Sequence, residues 1–231
     1  MNIEDPISFE YGPLKIGAAA AANRKATETA IMIMQTGGNA VDAAIAAGHV
    51  MGVVEPLDCG LAAGGFMTIH CSSRNKTEVI DFLGTAPASA KYQLYAINDI
   101  NGDYTIRVEG QHNQIGYRSI AIPGTLRGFE EAHKKYGSLP MHELIAPAIS
   151  IAKEGFPISY KGALRMARTA HVLATTDACR TLYLKSDNSA PREGEIIQNK
   201  DYAYTLEEIA KYGANTSVSY THLTLPTKRI V

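Results

Sequence analysis

The chain has 231 residues, of which 45% are hydrophobic and 19% charged, a composition typical of a soluble globular protein that can bury a sizeable core. Its 22 basic and 23 acidic residues give a net charge of -1. Because no basic stripe is present, this balance excludes nucleic acid and acidic membrane surfaces as partners.

The cysteines and the N-terminus indicate the compartment. Three cysteines, none in a C-x-x-C spacing, argue against a disulfide framework and against a cysteine zinc site. No basic start followed by an apolar run is present, and the longest apolar stretch, 40–54, is too short to span a membrane. We therefore expect a cytoplasmic protein. A periplasmic or secreted location stays open if Met1 is not the true start.

The first part of the chain predicts two helices and a hairpin. Asn23 caps a helix that ends at the glycine pair 37–38, and Asn39 caps a second helix over Ala40–Val54. The second helix is apolar nearly all round, which predicts a buried core helix. The alternating segments Gly65–Cys71 and Thr77–Leu83 then predict a β-hairpin that packs against it.

The second part predicts a surface segment and then mostly helices. Residues 89–119 are polar and turn-rich, with an Asn-Gly pair at 101–102. A short strand leads to Pro123, and a helix follows to Tyr136. The next helix contains Pro147, which either kinks it or starts its second segment. The stretches "YKGALRMARTAHVL" and "DYAYTLEEIAKYG" predict two further helices.

Glycine-rich "GLAAGGF", residues 60–66, first suggests a phosphate loop. It lacks the Lys-Ser/Thr of a Walker A loop. It also precedes a strand, whereas a dinucleotide-binding loop follows one. We therefore interpret it as a close-packed entry to the hairpin.

Other polar residues suggest no cofactor and no metal. Asp42 and His49 share a helical face, which favours a structural pair or a histidine bonded to backbone. Cys59 is a possible nucleophile, but no histidine or asparagine can be assigned to it, and a small buried thiol is favoured. The seven histidines form no H-x-x-x-H or H-E-x-x-H motif.

Eight short sequence motifs follow one another along the chain in this order: "TGGNAVDAAIAA", "GVVEP", "GLAAGGFM", "IDFLGTAP", "IPGTLRGF", "KYGSLP", "LIAPAISIAKEGFP" and "TLEEIAKYG". Together they resemble the large-subunit half of the gamma-glutamyltransferase family, over roughly residues 14–213. The resemblance implies an α+β fold, the helix-rich N-terminal portion of an N-terminal-nucleophile hydrolase with an αββα sandwich. The glycine loop then corresponds to the passage from a buried helix into the core sheet.

The resemblance also implies an activity. Such enzymes are made as one chain that cleaves itself, and the new N-terminal threonine of the small subunit attacks the amide of a gamma-glutamyl substrate such as glutathione. The alpha-amino group of that threonine acts as the base, so no histidine, metal or cofactor is needed.

Leu83 departs from the family pattern. The family has Asp-Phe-Arg-Glu-x-Ala-Pro where this chain has "DFLGTAP", and the arginine of that pattern holds the alpha-carboxylate of the glutamyl group. Leu83 occupies the position of that arginine. Arg118 and Arg127 are candidate replacements by charge alone, although Arg127 is predicted to be a surface residue on a helix. The alternative is a relative that acts as an acylase or small-amide amidohydrolase on a non-glutamyl substrate.

The family's catalytic half is not found. After Asn215 the pattern breaks, which gives residues 1–215 as a large-subunit-like portion and 216–231 as a non-native-looking tail that we expect not to pack. The sequence "THL", which begins at Thr221, resembles the start of the small subunit. The few residues after it are enough for only about one strand, at roughly 3.3 Å per residue, and not for a catalytic sheet. We expect this chain alone to be inactive and to lack its small-subunit half. A non-catalytic binding domain stays an alternative.

Overall fold

The computed structural model describes residues 17–100 and 106–213 and shows a helix-rich α+β arrangement. The helices of these residues are α1 (Arg24–Gln35), α2 (Ala40–Val54), α3 (Thr125–Tyr136), α4 (Met141–Glu154), α5 (Tyr160–Leu173), α6 (Asp177–Tyr183) and α7 (Lys200–Tyr212). The strands pair antiparallel as β1 (Phe66–Cys71) with β2 (Lys76–Asp81), β3 (Ile97–Ile100) with β4 (Ile106–Val108), and β5 (Phe156–Pro157) with β6 (Ile196–Ile197). The predicted 101–102 turn and the predicted tail 216–231, with Thr221, lie outside the described residues.

Side-chain caps start the first two helices where the sequence predicted. Oδ1 of Asn23 accepts a hydrogen bond from the N–H of Lys25 at 3.0 Å. Oδ1 of Asn39 accepts from the N–H groups of Val41 and Asp42, and the Asp42 carboxylate accepts from the N–H of Asn39 at 2.9 Å. This reciprocal capping box satisfies donors that a helix start leaves unpaired.

Helix α2 is the centre of the core. Ile45, on its first half, lies in the same buried cluster as Ile69 of β1 and Ile80 of β2, so the helix and the hairpin share one core as predicted, although α3 is the helix that contacts both strands. The closest neighbours of α2 are nevertheless α1 and α4, which the sequence did not predict. Its second half lies in another buried cluster with residues of α4, α5 and α7.

One face of the β1–β2 hairpin is covered by helices and the other is open. Ile69 and Ile80 are buried on the helix side. Phe66 and Val79 lie on the opposite side, where they are 58% and 61% exposed. We call this second surface the open face. The observed strands, Phe66–Cys71 and Lys76–Asp81, differ from the predicted ones by only one or two residues at their ends.

Two sequence-based predictions about the middle of the chain need correction. The segment predicted as polar, turn-rich surface also holds the paired strands β3 and β4, which were not predicted. The short strand predicted before Pro123 is a single bridge between Thr85 and Ile122.

Pro147 does not divide its helix. It lies within the single helix α4, so the predicted second segment is wrong. Proline removes one backbone hydrogen bond from a helix interior. Leu144, Ile145, Ala148 and Ala152 of this helix are buried in the core, and their packing outweighs that loss.

Candidate functional site

Leu83 lies immediately after β2, where the hairpin ladder is still continuing. Phe82 donates its N–H to the carbonyl of Gly65 at 2.9 Å and accepts from the N–H of Gly65 at 3.4 Å. The N–H of Leu83 donates to Oδ1 of Asp81 at 2.9 Å. These bonds fix the backbone around Leu83 in the register of the strand.

Phe82 anchors this segment to the helix layer. Its ring meets the ring of Phe129 edge-on, with 5.9 Å between the ring centroids. A Cβ added at Gly128 would lie 2.2 Å from Cγ of Phe82, so α3 approaches the ring as closely as only glycine permits. Because side chains alternate along an extended strand, an inward Phe82 places Leu83 on the open face, where it is 56% exposed.

Ile122 lies on the same face as Leu83. Thr85 and Ile122 exchange two backbone hydrogen bonds, of 3.1 and 2.8 Å, and opposite residues of an antiparallel pair share a face. The bridge is isolated, but two residues further along Gly124 comes close to the backbone next to Leu83, since a Cβ added at Gly124 would lie 2.1 Å from the carbonyl oxygen of Phe82. Ile122 is 51% exposed. Leu83 and Ile122 are therefore diagonal neighbours on the open face.

The glycine loop closes the back of this site. A Cβ added at Gly64 would lie 2.6 Å from the backbone nitrogen of Gly84. The carbonyl of Ala63 accepts from the N–H groups of Gly124 and Thr125, at 3.2 and 3.3 Å. The loop thus caps the start of α3 with a backbone carbonyl and packs against the strand that carries Leu83.

Neither candidate arginine is placed beside Leu83 by this bridge. Arg127 is in the first turn of α3, and its Nη1 pairs with Glu130 at 3.0 Å. Its predicted location on a helix surface is confirmed, since it is exposed. Arg118 is six residues before Gly124, is exposed, and its carbonyl accepts a hydrogen bond from the Tyr95 hydroxyl.

Asp42 and His49 do not form the predicted pair. Asp42 accepts hydrogen bonds from the backbone N–H and the hydroxyl of Ser138, in the loop between α3 and α4. Burial raises the pKa of Asp42, but hydrogen bonds from Ser138, Asn39 and Leu139 outweigh it and hold the pKa below its ordinary value.

His49 is buried elsewhere, with its ring edge-on to the ring of Phe129 at 5.2 Å between centroids. Its Nδ1 has no hydrogen-bond partner among the described residues, so the predicted bond to backbone is wrong for that atom. Burial lowers the pKa of His49 to about 4, and the ring is therefore neutral at pH 7.

Cys59 does not have the environment of a nucleophile. It is partly buried, and burial, followed by the charges of Asp58 and Glu55, raises the pKa of its thiol. A raised pKa disfavours the reactive thiolate. This placement agrees with the structural role that the sequence favoured.

Glu55 is a buried carboxylate that sequence reasoning missed. Its Oε1 accepts hydrogen bonds from Nδ2 of Asn23 at 3.0 Å and from the hydroxyl of Ser159 at 3.3 Å. Asn23 caps α1 and Ser159 caps α5, so Glu55 joins two helix starts at the end of α2. No local signal in the sequence pairs a glutamate with caps so far along the chain.

Within residues 17–100 and 106–213, no group of three or more His, Cys, Asp or Glu side chains is placed to hold a metal ion. None of the helices in these two ranges is long and apolar enough to cross a membrane.

Comparison with known proteins decides the family. The family model described as Gamma-glutamyltranspeptidase matches residues 26–222. This chain belongs to the gamma-glutamyltranspeptidase family. The chain is 34% identical over 199 residues to the glutathione hydrolase proenzyme 1 of Schizosaccharomyces pombe, a match that covers 86% of this chain and 30% of that protein.

Solved structures of a gamma-glutamyltranspeptidase and of an acylase share the fold. The Helicobacter pylori gamma-glutamyltranspeptidase superposes with a TM-score of 0.79 and 29% identity, over 87% of this chain and 56% of that one. The cephalosporin acylase of Bacillus halodurans superposes with a TM-score of 0.69 and 25% identity, over 92% of this chain and 40% of that one.

The expected fold class is therefore confirmed: the chain is a helix-rich α+β portion of an N-terminal-nucleophile hydrolase fold. It spans about a third of the length of the curated relatives it matches, at 30% and 33% for two of them.

Proposed function

We propose that this chain supplies the large-subunit portion of an enzyme that hydrolyses or transfers an acyl group from an amide through an N-terminal threonine located outside the chain. The observation that carries the proposal is the family match over residues 26–222. The share of the relatives' length that the chain spans supports a second portion that holds the nucleophile.

The first substrate class is gamma-glutamyl amides of the glutathione type. The names of the relatives, glutathione hydrolases, support it. In this proposal the threonine hydroxyl attacks the amide carbonyl, the amine leaves, and water or an acceptor amine releases the acyl group. The large-subunit portion contributes the floor of the acyl site, at the end of β2.

A second candidate is an acylase that takes a non-glutamyl acyl group. Leu83 favours it, because a leucine offers no donor to the alpha-carboxylate that a bidentate arginine would hold. The solved neighbour named as a cephalosporin acylase is consistent with this alternative.

The partner in both candidates is the remaining half of the enzyme. The open face supports this proposal, since Phe66 and Val79 are each more than half exposed there. A sheet face of this kind is normally covered by a second layer.

A cytoplasmic location is part of the proposal, supported by the free thiols of Cys59, Cys71 and Cys179.

The test compares two proteins on gamma-glutamyl-p-nitroanilide and on a neutral acyl anilide. One is this 231-residue chain, and the other is the product of the same gene with its downstream genomic sequence. We expect no turnover by the chain alone, and self-cleavage at a threonine followed by turnover in the longer product. Turnover by the chain alone, or a longer product that neither cleaves itself nor hydrolyses an anilide, contradicts the proposal.

A further inference from the structure

We propose that Leu83 and Ile122 form an apolar wall of the acyl site and select amides whose acyl group is uncharged and apolar. The inference rests on the proposed function, because it takes position 83 to line the acyl site. It goes further in naming Ile122 as a second residue that sets specificity and in choosing one substrate class.

The geometry brings these two side chains together on one surface. The bridge between Thr85 and Ile122 places Ile122 diagonally across from Leu83 on the open face. On the other face of the same segment Gly84 lies against Ala121, since a Cβ added at Gly84 would lie 3.0 Å from Cβ of Ala121. Both apolar side chains are therefore directed away from the helix layer, and each has about half of its surface available to a ligand.

The segment that carries Leu83 is rigid, as a specificity wall requires. Phe82 is held by the ring of Phe129 and by close approach of Gly124 and Gly128. Leu83 follows Phe82 directly in the chain, so its backbone cannot shift without displacing the ring of Phe82. A wall built on fixed backbone discriminates between acyl groups by shape and polarity.

The charges around the wall disfavour a glutamyl group. The nearest carboxylate along the strand is that of Asp81, which is exposed and is held by the N–H of Leu83. A substrate carboxylate placed at Leu83 meets this negative charge and loses water without gaining a partner. Arg127 forms an ion pair with Glu130 at 3.0 Å, and Arg118 lies six residues before Gly124 in the sequence.

An uncharged acyl chain gains from the same surface. Each methylene that is removed from water against an apolar wall strengthens binding about fourfold. A five- or six-carbon acyl chain that covers both side chains therefore reacts better than a glutamyl group of the same length.

The experiment uses the full-length gene product after self-cleavage and compares kcat/KM for hexanoyl-p-nitroanilide and gamma-glutamyl-p-nitroanilide. We expect the parent to prefer the hexanoyl substrate at least tenfold. Ile122→Ala should lower kcat/KM for the hexanoyl substrate about tenfold, mainly through KM, and lower the glutamyl value distinctly less. Leu83→Arg should raise the glutamyl value about 100-fold and reverse the preference.

Ile196→Ala is the matched control, since Ile196 is an exposed isoleucine of β6 outside the site, and it should change neither value. Self-cleavage and melting temperature report whether each variant folds. If Leu83→Arg does not fold, the inference is tested by the ratio of kcat/KM for the hexanoyl and glutamyl substrates, measured in the parent and in Ile122→Ala. A parent that prefers the glutamyl substrate, or an Ile122→Ala variant that loses both activities equally, overturns the inference and leaves the proposed function standing. A self-cleaved protein that hydrolyses neither anilide overturns both.

Discussion

The Asp42 carboxylate accepts the backbone N–H of Ser138, at 3.0 and 3.1 Å to its two oxygens, and also accepts the hydroxyl of the same residue. The two residues are 96 positions apart. Asp42 is fully buried and also closes the capping box of α2 with Asn39. One side chain therefore fixes both the start of the central helix and the loop that joins α3 to α4.

Asp42→Ala should destabilise the chain by about 3 kcal/mol, because several buried donors lose a charged acceptor at once. Ser138→Ala is the matched variant. It removes only the hydroxyl and keeps the backbone bond, and it should cost about 1 kcal/mol. Urea unfolding followed by circular dichroism measures both. Equal losses in the two variants would show that the bonds from the backbone N–H groups of Ser138 and Asn39 contribute nothing.

Ile45→Asp should unfold or aggregate the chain, since Ile45 is fully buried between α1, the hairpin and α4. A buried, unpaired carboxylate costs about 4 kcal/mol or more at such a site. Ala44→Asp is the control, one residue away on the same helix but exposed, and it should leave the melting temperature nearly unchanged. A melting temperature of Ile45→Asp equal to that of the control would contradict this placement of α2.

Features that depend on neighbouring residues could be predicted from the sequence. The caps at Asn23 and Asn39 act within three residues, so local patterns were sufficient. The hairpin could be predicted because alternating apolar residues flank a polar turn. The pairing of β3 with β4 was not predicted, although apolar residues flank the Asn-Gly pair at 101–102, because most of the residues around them are polar. Pro147 does not start a second helical segment, because tertiary packing of α4 outweighs a local penalty.

The site was only partly predictable for the same reason. The resemblance to the family motifs identified Leu83 as the position where the chain differs from the family pattern. No local feature of the sequence indicated which residue would lie beside Leu83. Ile122 became its neighbour through a bridge between segments that are far apart in the chain. Likewise, helical spacing suggested that Asp42 faces His49, whereas the Asp42 carboxylate accepts a hydrogen bond from the distant Ser138.

Glu55→Ala should cost about 2 kcal/mol, because the side chains of Asn23 and Ser159 both lose their buried acceptor. Glu55→Gln keeps one oxygen acceptor and nearly the same volume, so it should cost less than half as much. Thermal unfolding of the two variants side by side measures the difference. A glutamine variant as unstable as the alanine variant would mean that the negative charge, rather than the acceptor, is what the site needs.

Gly128→Ala should destabilise the chain although alanine is the better helix former. The helical preference favours alanine by about 1 kcal/mol. A Cβ at this position would lie 2.2 Å from Cγ of Phe82, and overpacking of this kind costs about 1–3 kcal/mol. We expect a net fall in melting temperature of a few degrees.

The double variant Gly128→Ala/Phe82→Leu tests the cause. A smaller side chain at position 82 relieves the clash, so alanine at 128 should cost less in the Phe82→Leu background than in the parent. If alanine costs the same in both backgrounds, Phe82 is not what limits the approach of α3, and the argument that this ring fixes the strand at Leu83 loses its support.

His49 should make the chain less stable as the pH falls from 6.5 towards 4. Burial lowers the pKa of its ring from the ordinary 6.5 to about 4, so the unfolded chain binds a proton in this range that the folded chain excludes. The stability is fully present above pH 6.5 and falls by about 3 kcal/mol as the pH drops to the folded pKa.

His49→Leu, which cannot be protonated, should remove most of this slope, whereas the exposed His171→Leu should keep it. Urea unfolding at pH 7.0, 5.5 and 4.5 measures the slope. Carboxyl groups whose pKa is lowered on folding, among them Glu78 from an ordinary 4.5 and Asp42 from 3.8, add a loss of stability of the same sign near the acid end of this range. The contribution of His49 is therefore the difference in slope between the parent and His49→Leu from pH 7.0 to 5.5. An unchanged slope in His49→Leu would show that another group takes up the proton on unfolding.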